Sequence, residues 1–425
     1  MKKTLNKRFN EVLFEQIISS GLRVVVIHKP GYVGSSALLA TPFGGMHTKL
    51  RDSNGGIIEI LPGSAHFLEH KLFESEEGDI LTAFTEIGAS VNAFTSYEET
   101  VYYFSTSNDI EVPLNMLLDF VSDLRISEES VEKEKGIIIQ ELRMYAQMPD
   151  ARLVHETYRS FFVEHPYSND IGGTESSVMA ISKEHLTMCY QLNYHPQRML
   201  LVVATGDDPD RIFDIAEKNH QQKTFATAPS METVKIEEPL AVYRRNFEFS
   251  LDVESVKSTV TYKFSHTYDS EPERKAAEWS LRLLLDATFS TLNPEYQQWM
   301  DQGLISDFFG FEADIGDGYG LVMFYNETAD AAQFEHFLDR QMQKAYISED
   351  TAEQLKRRYL GQALRSLNDL EDMAISFIRA SFAGADYFDS LTWVEKITLE
   401  DIENVRKLID LSNKCTVSVK SEKSA

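Results

Sequence analysis

The order of strand-like and helix-like segments runs through once before residue 224 and starts again after residue 239. That recurrence constrains the fold more than any other feature, because a chain that repeats one pattern builds the same kind of layered core twice. In the first half, residues 22–28 (LRVVVIH) and 35–40 read as strands, and residues 65–73 and 81–87 as short helices, with Gly63 and Ser64 able to cap the first. Residues 90–94 and 100–105 read as a hairpin around Ser96, Tyr97 and Glu98. Three- and four-residue apolar spacing marks helices between 110 and 162. A Pro/Gly-rich turn (165–173), a helix (183–192) and a strand (199–204) follow, with another helix after Pro209. The second half shows a strand at 258–265, a helix at 273–289, strands at 308–313 and 320–325, long helices over 331–345, 351–367 and 370–383, and a last strand at 416–420. Residues 224–239 carry two prolines and no clear period. The expected organisation is therefore a domain over 1–225, a linker over 226–239 and a related domain over 240–425.

Charge and cysteine content narrow the function classes. With 41 Lys+Arg against 67 Asp+Glu, the net charge is −26, which argues against a nucleic-acid partner and towards cationic ones. Cys189 and Cys415 have no metal-type spacing, and so few cysteines predict a reducing, cytoplasmic setting. The N-terminal residues have the charge of a signal peptide without its apolar run, and no apolar stretch is long enough to span a membrane.

The segment that carries chemistry is His66-Phe67-Leu68-Glu69-His70. On a helix, His66 and His70 project from one face and can grip one metal ion, while Glu69 reaches the same edge. Neutral imidazoles bind Zn²⁺ and leave positions open, and a carboxylate outside the ligand set can take a proton from bound water. The His-x-x-Glu-His order is that of the inverzincins. The competing reading is a helix whose histidines cover the edge of a core. A third ligand is expected, and the candidate helix is 130–147. Glu134 and Glu141 lie two turns apart on one face of it. Glu141 sits in the apolar stretch 137–142, which favours an interior site, whereas Glu134 lies in the charged run EKEK and reads equally well as a solvated residue.

The chain resembles the pitrilysin-type zinc metallopeptidases, the family of insulin-degrading enzyme and the mitochondrial processing peptidase. The resemblance is carried by SAHFLEHKLFE (64–74), GASVNAFTSYEETVYYF (88–104), EKEKGIIIQELRMYAQMPD (132–150), HPYSNDIGGTESSVMAIS (165–182) and YHPQRMLLVVATGDDPD (194–210). It covers about residues 15–220, and the second half matches only in outline. The resemblance implies His66, His70 and Glu141 as ligands of one zinc ion per chain, and Glu69 as the general base. It implies Glu134 as a carboxylate that orients the site, and Asn92 and Ala93 as the edge on which a peptide is laid as an added strand. For Asn92 the alternative is a hairpin residue bonded to its own backbone.

The same resemblance exposes a departure. Active relatives carry an Arg and a Tyr in the second half that bind the substrate carbonyl; the matching positions here are Trp299 and Ser306. The family's closed chamber uses four such domains, and this chain supplies about two. The resemblance therefore implies a heterodimer with a related subunit bearing the Arg/Tyr pair, as in short bacterial pairs of the YmfF/YmfH type, with a homodimer as the runner-up. The expected fold is α+β, two similar domains, each a mainly antiparallel sheet packed by helices on one face. The expected function is zinc-dependent endopeptidase or oligopeptidase activity on peptides or unfolded segments; the alternative is an inactive zinc-binding scaffold or peptide-binding subunit.

Overall fold

The computed structural model of the 425-residue chain describes residues 1–75, 78–264, 268, 270–328 and 330–421; Ser265, within the expected strand 258–265, lies outside them. The first sheet has seven strands: β1 (Lys2–Asn6), β2 (Glu11–Ile17), β3 (Arg23–His28), β4 (Ser35–Thr41), β5 (Ala89–Thr95), β6 (Thr100–Thr106) and β7 (Leu200–Thr205), in the spatial order β1-β2-β3-β7-β4-β6-β5. Only the β3–β7 pair is parallel. The second sheet contains β8 (Asn246–Leu251), β9 (Lys257–Phe264), β10 (Gly310–Gly316), β11 (Tyr319–Glu327) and β12 (Ile409–Ser421), in the order β8-β12-β9-β11-β10. Its one parallel pair is β8–β12.

Set the N-terminal hairpin aside and the two sheets are the same object. In each, the first strand lies parallel to the last, the last antiparallel to the second, the second to the fourth, and the fourth to the third. The recurrence in the sequence is thus a recurrence of topology.

The six helices that matter here are α1 (Ser64–Leu72), α2 (Glu128–Gln147), α3 (Pro149–Phe161), α4 (Glu271–Phe289), α5 (Glu349–Ser366) and α6 (Leu370–Phe382). On one face of the first sheet, Val24, Val26, Leu39, Tyr102, Leu201 and Val203 pack with Phe67 and Leu68 of α1 in a single core. Side chains alternate along a strand, so Val25, Leu38, Val202 and Tyr103, which lie in register across β3, β7, β4 and β6, point the other way. Helix α6 packs on β4 and β7, and burial, then the charge of its Glu371, raises the pKa of Tyr103 of that second face. In the second sheet, Val260, Tyr262 and Phe324 pack with Leu281, Leu285 and Phe289 of α4. Leu153 of α3 meets Phe249, Leu251, Val417 and Val419, and the Thr157 and Thr259 hydroxyls bond at 2.6 Å.

The chain accordingly forms two compact units that interleave along the sequence. One comprises Met1–Leu142, Asn169–Lys235 and Leu364–Phe388; the other comprises Arg143–Ser168, Ile236–Ala363 and Asp389–Ala425. Each sheet borrows one helix from the opposite half of the sequence: α6 belongs to the first unit and α3 to the second.

Two features differ from the sequence reading. Residues 2–17 form a hairpin, turning through Asn10 at φ 55, a conformation that Asn tolerates better than most residues. Residues 231–233, within the expected linker, form a strand that pairs with Lys49–Asp52 in a small three-stranded sheet. Among the described residues, no helix is long and apolar enough to cross a membrane.

Candidate metal centre

Helix α1 begins at Gly63, which has φ 92. A Cβ there would stand 2.5 Å from the Gly172 carbonyl oxygen, so the turn at 172–173 can brace the start of this helix only if residue 63 is glycine. The same turn leaves room at the histidines: a Cβ on Gly172 would meet Leu142 Cδ2 at 2.9 Å and His66 Nδ1 at 3.6 Å.

One turn of α1 presents His66 and His70 side by side, their rings 4.5 Å apart. Helix α2 brings Glu141 against them. Its Oε2 lies 3.8 Å from His66 Nε2 and 3.5 Å from His70 Nε2, and the three ligand atoms lie within 4.8 Å of one another. These separations are too long for hydrogen bonds, yet they suit a shared ion. Ligands about 2.0–2.2 Å from a tetrahedral zinc stand roughly 3.3–3.5 Å apart. The donor set, two imidazoles and one carboxylate, is that of several catalytic zinc sites. Manganese and cobalt ions accept the same donors.

Two turns before Glu141 on the same face of α2, Glu134 Oε1 lies 3.0 Å from His70 Nδ1. A carboxylate there accepts the Nδ1 proton, which leaves the Nε2 lone pair directed at the cluster. Glu134 is in turn 3.9 Å from Lys71 Nζ, a fully buried ammonium that also donates to Glu74 and to the Ser130 carbonyl. Glu69 precedes His70 in the chain, and its Oε2 accepts a 2.6 Å hydrogen bond from Thr95 Oγ1.

The electrostatics follow from burial and neighbouring charge. Burial, then the charge of His70, pushes the His66 pKa down to about 4, so this imidazole is neutral at pH 7. Burial also acts against a charged His70, but the Glu134 hydrogen bond and the Glu134, Glu141 and Glu69 charges outweigh it and raise its pKa above the usual histidine value. Glu134 is held low, first by its hydrogen bond to His70. Burial raises Glu69, against the opposing pull of the Thr95 hydrogen bond; that direction suits a carboxylate that must accept a proton near neutral pH. Buried His66 Nδ1 has no hydrogen-bond partner among the described residues.

Asn92 and Ala93 lie on β5, the outermost strand of the first sheet. Asn92 is exposed, and its Oδ1 accepts from the Ala93 N–H at 2.9 Å. Tyr103 lies opposite Asn92 in register, so the Asn92 side chain points to the sheet face that meets α6. Sequence reasoning missed Thr95 and Lys71. The only available signal for either was its place in the NAFT and HKLFE runs, because the side-chain contacts join residues 26 and 63 positions apart.

The second unit holds no such cluster at the equivalent place among its described residues. Helices α4 and α5 occupy the positions of α1 and α2, and there Asp286 accepts hydrogen bonds from Arg358 and Tyr359. Trp299 is a core residue packed against Phe289 and Phe337. Ser306 bonds Asn326 Oδ1 through both its N–H and its hydroxyl, each at 2.9 Å. Both side chains at the departing positions are engaged in the scaffold.

Residues 59–175 match the family described as Insulinase (Peptidase family M16). The chain is 34% identical over 402 residues to the uncharacterized zinc protease YmfH of Bacillus subtilis, covering 94% of each chain. It superposes on the crystal structure of an M16-like peptidase from Alicyclobacillus acidocaldarius with a TM-score of 0.90 at 30% identity, covering 97% of this chain and 99% of that one. A peptidase M16 inactive domain from Pseudomonas fluorescens has the same fold, with a TM-score of 0.75 at 13% identity over 96% of this chain and 97% of that one.

Proposed function

Since the chain belongs to peptidase family M16, the insulinase family, we propose that it is the zinc-bearing subunit of a peptidase that hydrolyses peptides or unfolded segments. One observation carries this reading: two imidazoles and a carboxylate converge at ligand separations, and the Glu69 carboxylate, outside that set, stands next in the chain to His70.

In this mechanism His66, His70 and Glu141 hold one zinc ion, and Glu134 fixes the orientation of His70. Zinc bound there supplies a Lewis acid for the substrate carbonyl and lowers the pKa of water at the site. Glu69 takes the proton of the attacking water and passes one to the departing amine, a role that its raised pKa supports. The outer edge of β5, at Asn92 and Ala93, receives the peptide as an added strand, and the Asn92 amide gives up its bond to the Ala93 N–H when a substrate carbonyl takes that donor. The net charge of −26 favours cationic peptides. Two buried free thiols suit a reducing compartment such as the cytoplasm.

The engagement of Trp299 and Ser306 in the scaffold supports a site completed by a second, related subunit that contributes the carbonyl-binding groups. It equally favours a second reading, a zinc-binding or peptide-binding subunit without turnover. The test is hydrolysis of a quenched peptide library by the chain alone and with a related subunit encoded beside it, wild type against Glu69→Gln, with zinc measured on the same samples. Turnover that is lost in Glu69→Gln while one zinc per chain remains is the expected result. A zinc-loaded chain that is inert in every combination would establish the second reading, and a chain that binds no metal would remove the site assignment.

A further inference from the structure

We propose that Thr95 is a positioning residue that aims the Glu69 carboxylate at the reacting water; this rests on the peptidase reading above. The geometry is specific. Thr95 Oγ1 donates to Glu69 Oε2 at 2.6 Å, and it is the one hydrogen bond to that carboxylate among the described residues. Since Oε2 is engaged, Oε1 is the oxygen left to meet a water. A lone glutamate at the end of three rotatable bonds has no such preference, and fixing it converts a search over rotamers into a single presented lone pair.

The hydroxyl is held in place by the structure around it. Thr95 ends the edge strand β5 and pairs in register with Thr100 of β6. Thr100 is fully buried, and its hydroxyl donates to the Phe43 carbonyl at 2.8 Å while standing 3.4 Å from Thr95 Oγ1. The turn between them is closed by the Ser96 N–H on the Glu99 carbonyl at 2.8 Å and by the Glu99 N–H on Ser96 Oγ at 3.0 Å. From outside, the N–H groups of Gly45 and Met46 bond the carbonyls of Ser96 and Tyr97, each at 2.9 Å. Gly44 lies so close that a Cβ there would stand 2.5 Å from the Ser96 carbonyl oxygen. Thr95 is therefore held by its pairing with Thr100 and by the braced turn that follows it, and the base it bonds is held with it. The same strand carries Asn92 and Ala93, so one rigid element both receives the peptide and aims the base.

Threonine is required for its hydroxyl, and valine has nearly the same shape without it. The experiment compares wild type, Thr95→Val, Thr95→Ser and Glu69→Gln for kcat and KM on a quenched peptide, with the related subunit present if turnover needs it. Zinc content is measured throughout, and crystal structures are determined for the wild type and Thr95→Val. Thr95→Val is expected to lower kcat roughly ten- to hundredfold, part of the 10²–10⁴ that a positioned base contributes, with KM and one zinc per chain unchanged. Thr95→Ser is expected to stay within about threefold of wild type, since it keeps the donor. In the Thr95→Val crystal the Glu69 carboxylate is expected to leave its wild-type rotamer. Full kcat in Thr95→Val, or an unmoved Glu69 in its crystal structure, would overturn the proposal. Wild-type turnover by Glu69→Gln would instead remove the base reading itself, and the role of Thr95 with it.

Discussion

Replacing Glu134 with alanine tests how much of the metal affinity is set by a residue that does not touch the ion. Glu134 accepts from His70 Nδ1 at 3.0 Å and is mostly buried, with 15% of its side chain exposed. Solvent screening therefore takes only a modest share of the interaction. Hydrogen bonds to a charged group contribute about 1.5–3 kcal/mol, and outer carboxylate partners of ligating histidines about 10–100-fold in metal affinity. The two figures agree, since tenfold is about 1.4 kcal/mol. One effect opposes the loss. The Glu134 hydrogen bond helps to raise the pKa of His70, so its removal also weakens proton competition for that ring. Measured well above the raised pKa of His70, where the ring is neutral, the opposing effect is small. Competitive zinc titration against a chelator is then expected to show Glu134→Ala weaker by about 10–100-fold, with Glu134→Gln in between because it keeps an acceptor. Lys71 retains Glu74 and the Ser130 carbonyl, so the apo variant should melt within a few degrees of wild type. An unchanged zinc affinity at an unchanged melting temperature would refute the argument.

Zinc affinity should fall about tenfold per pH unit as pH drops through the raised pKa of His70, with one proton displaced per ion. A second proton should count only near pH 4, where His66 titrates; a two-proton slope at pH 6 would contradict the assignment. Ile378 of α6 is fully buried, so Ile378→Ala should destabilise the unit that carries the metal centre by about 2–4 kcal/mol, read by denaturant unfolding; a loss below about 1 kcal/mol would mean that α6 contributes little there. The Glu238 carboxylate accepts the N–H groups of Val163, Glu164 and His165 and lies 2.5 Å from buried Lys263. Glu238→Ala should cost about 3–5 kcal/mol by leaving that ammonium unpaired, and Lys263→Met in the same background should recover part of it.

Much of this was legible in the sequence because the signals are local. The pattern of 22–28, 35–40 and 90–105 matches β3, β4, β5 and β6 to within a residue or two at each end, since apolar runs bounded by turn residues read directly as strands. The helical spacing of His66, His70, Glu134 and Glu141 placed all four on faces that could meet. The edge strand β1 was not legible, because its lysines carry no apolar period, and in β2 the short apolar run 12–14 is bounded by Glu11 and Glu15. Nor was the self-capping of Asn92, which depends on a side-chain rotamer. The placement of α3 and α6 was also hidden. Each reads as an amphipathic helix, and amphipathicity states that a face is buried without stating against which sheet.

That exchange of helices bears on where such a chain came from. A half-length ancestor with one sheet and one such helix could not cover both faces of its own sheet if the helix left for another. Two copies could do so by lending helices to each other, which makes the ancestor a swapped homodimer and the present chain its tandem fusion. As a hypothesis this is open to trial: residues 1–240 and 241–425 produced as separate polypeptides should each be insoluble or molten alone and assemble when refolded together. A well-folded, cooperatively melting 1–240 fragment would speak against that history.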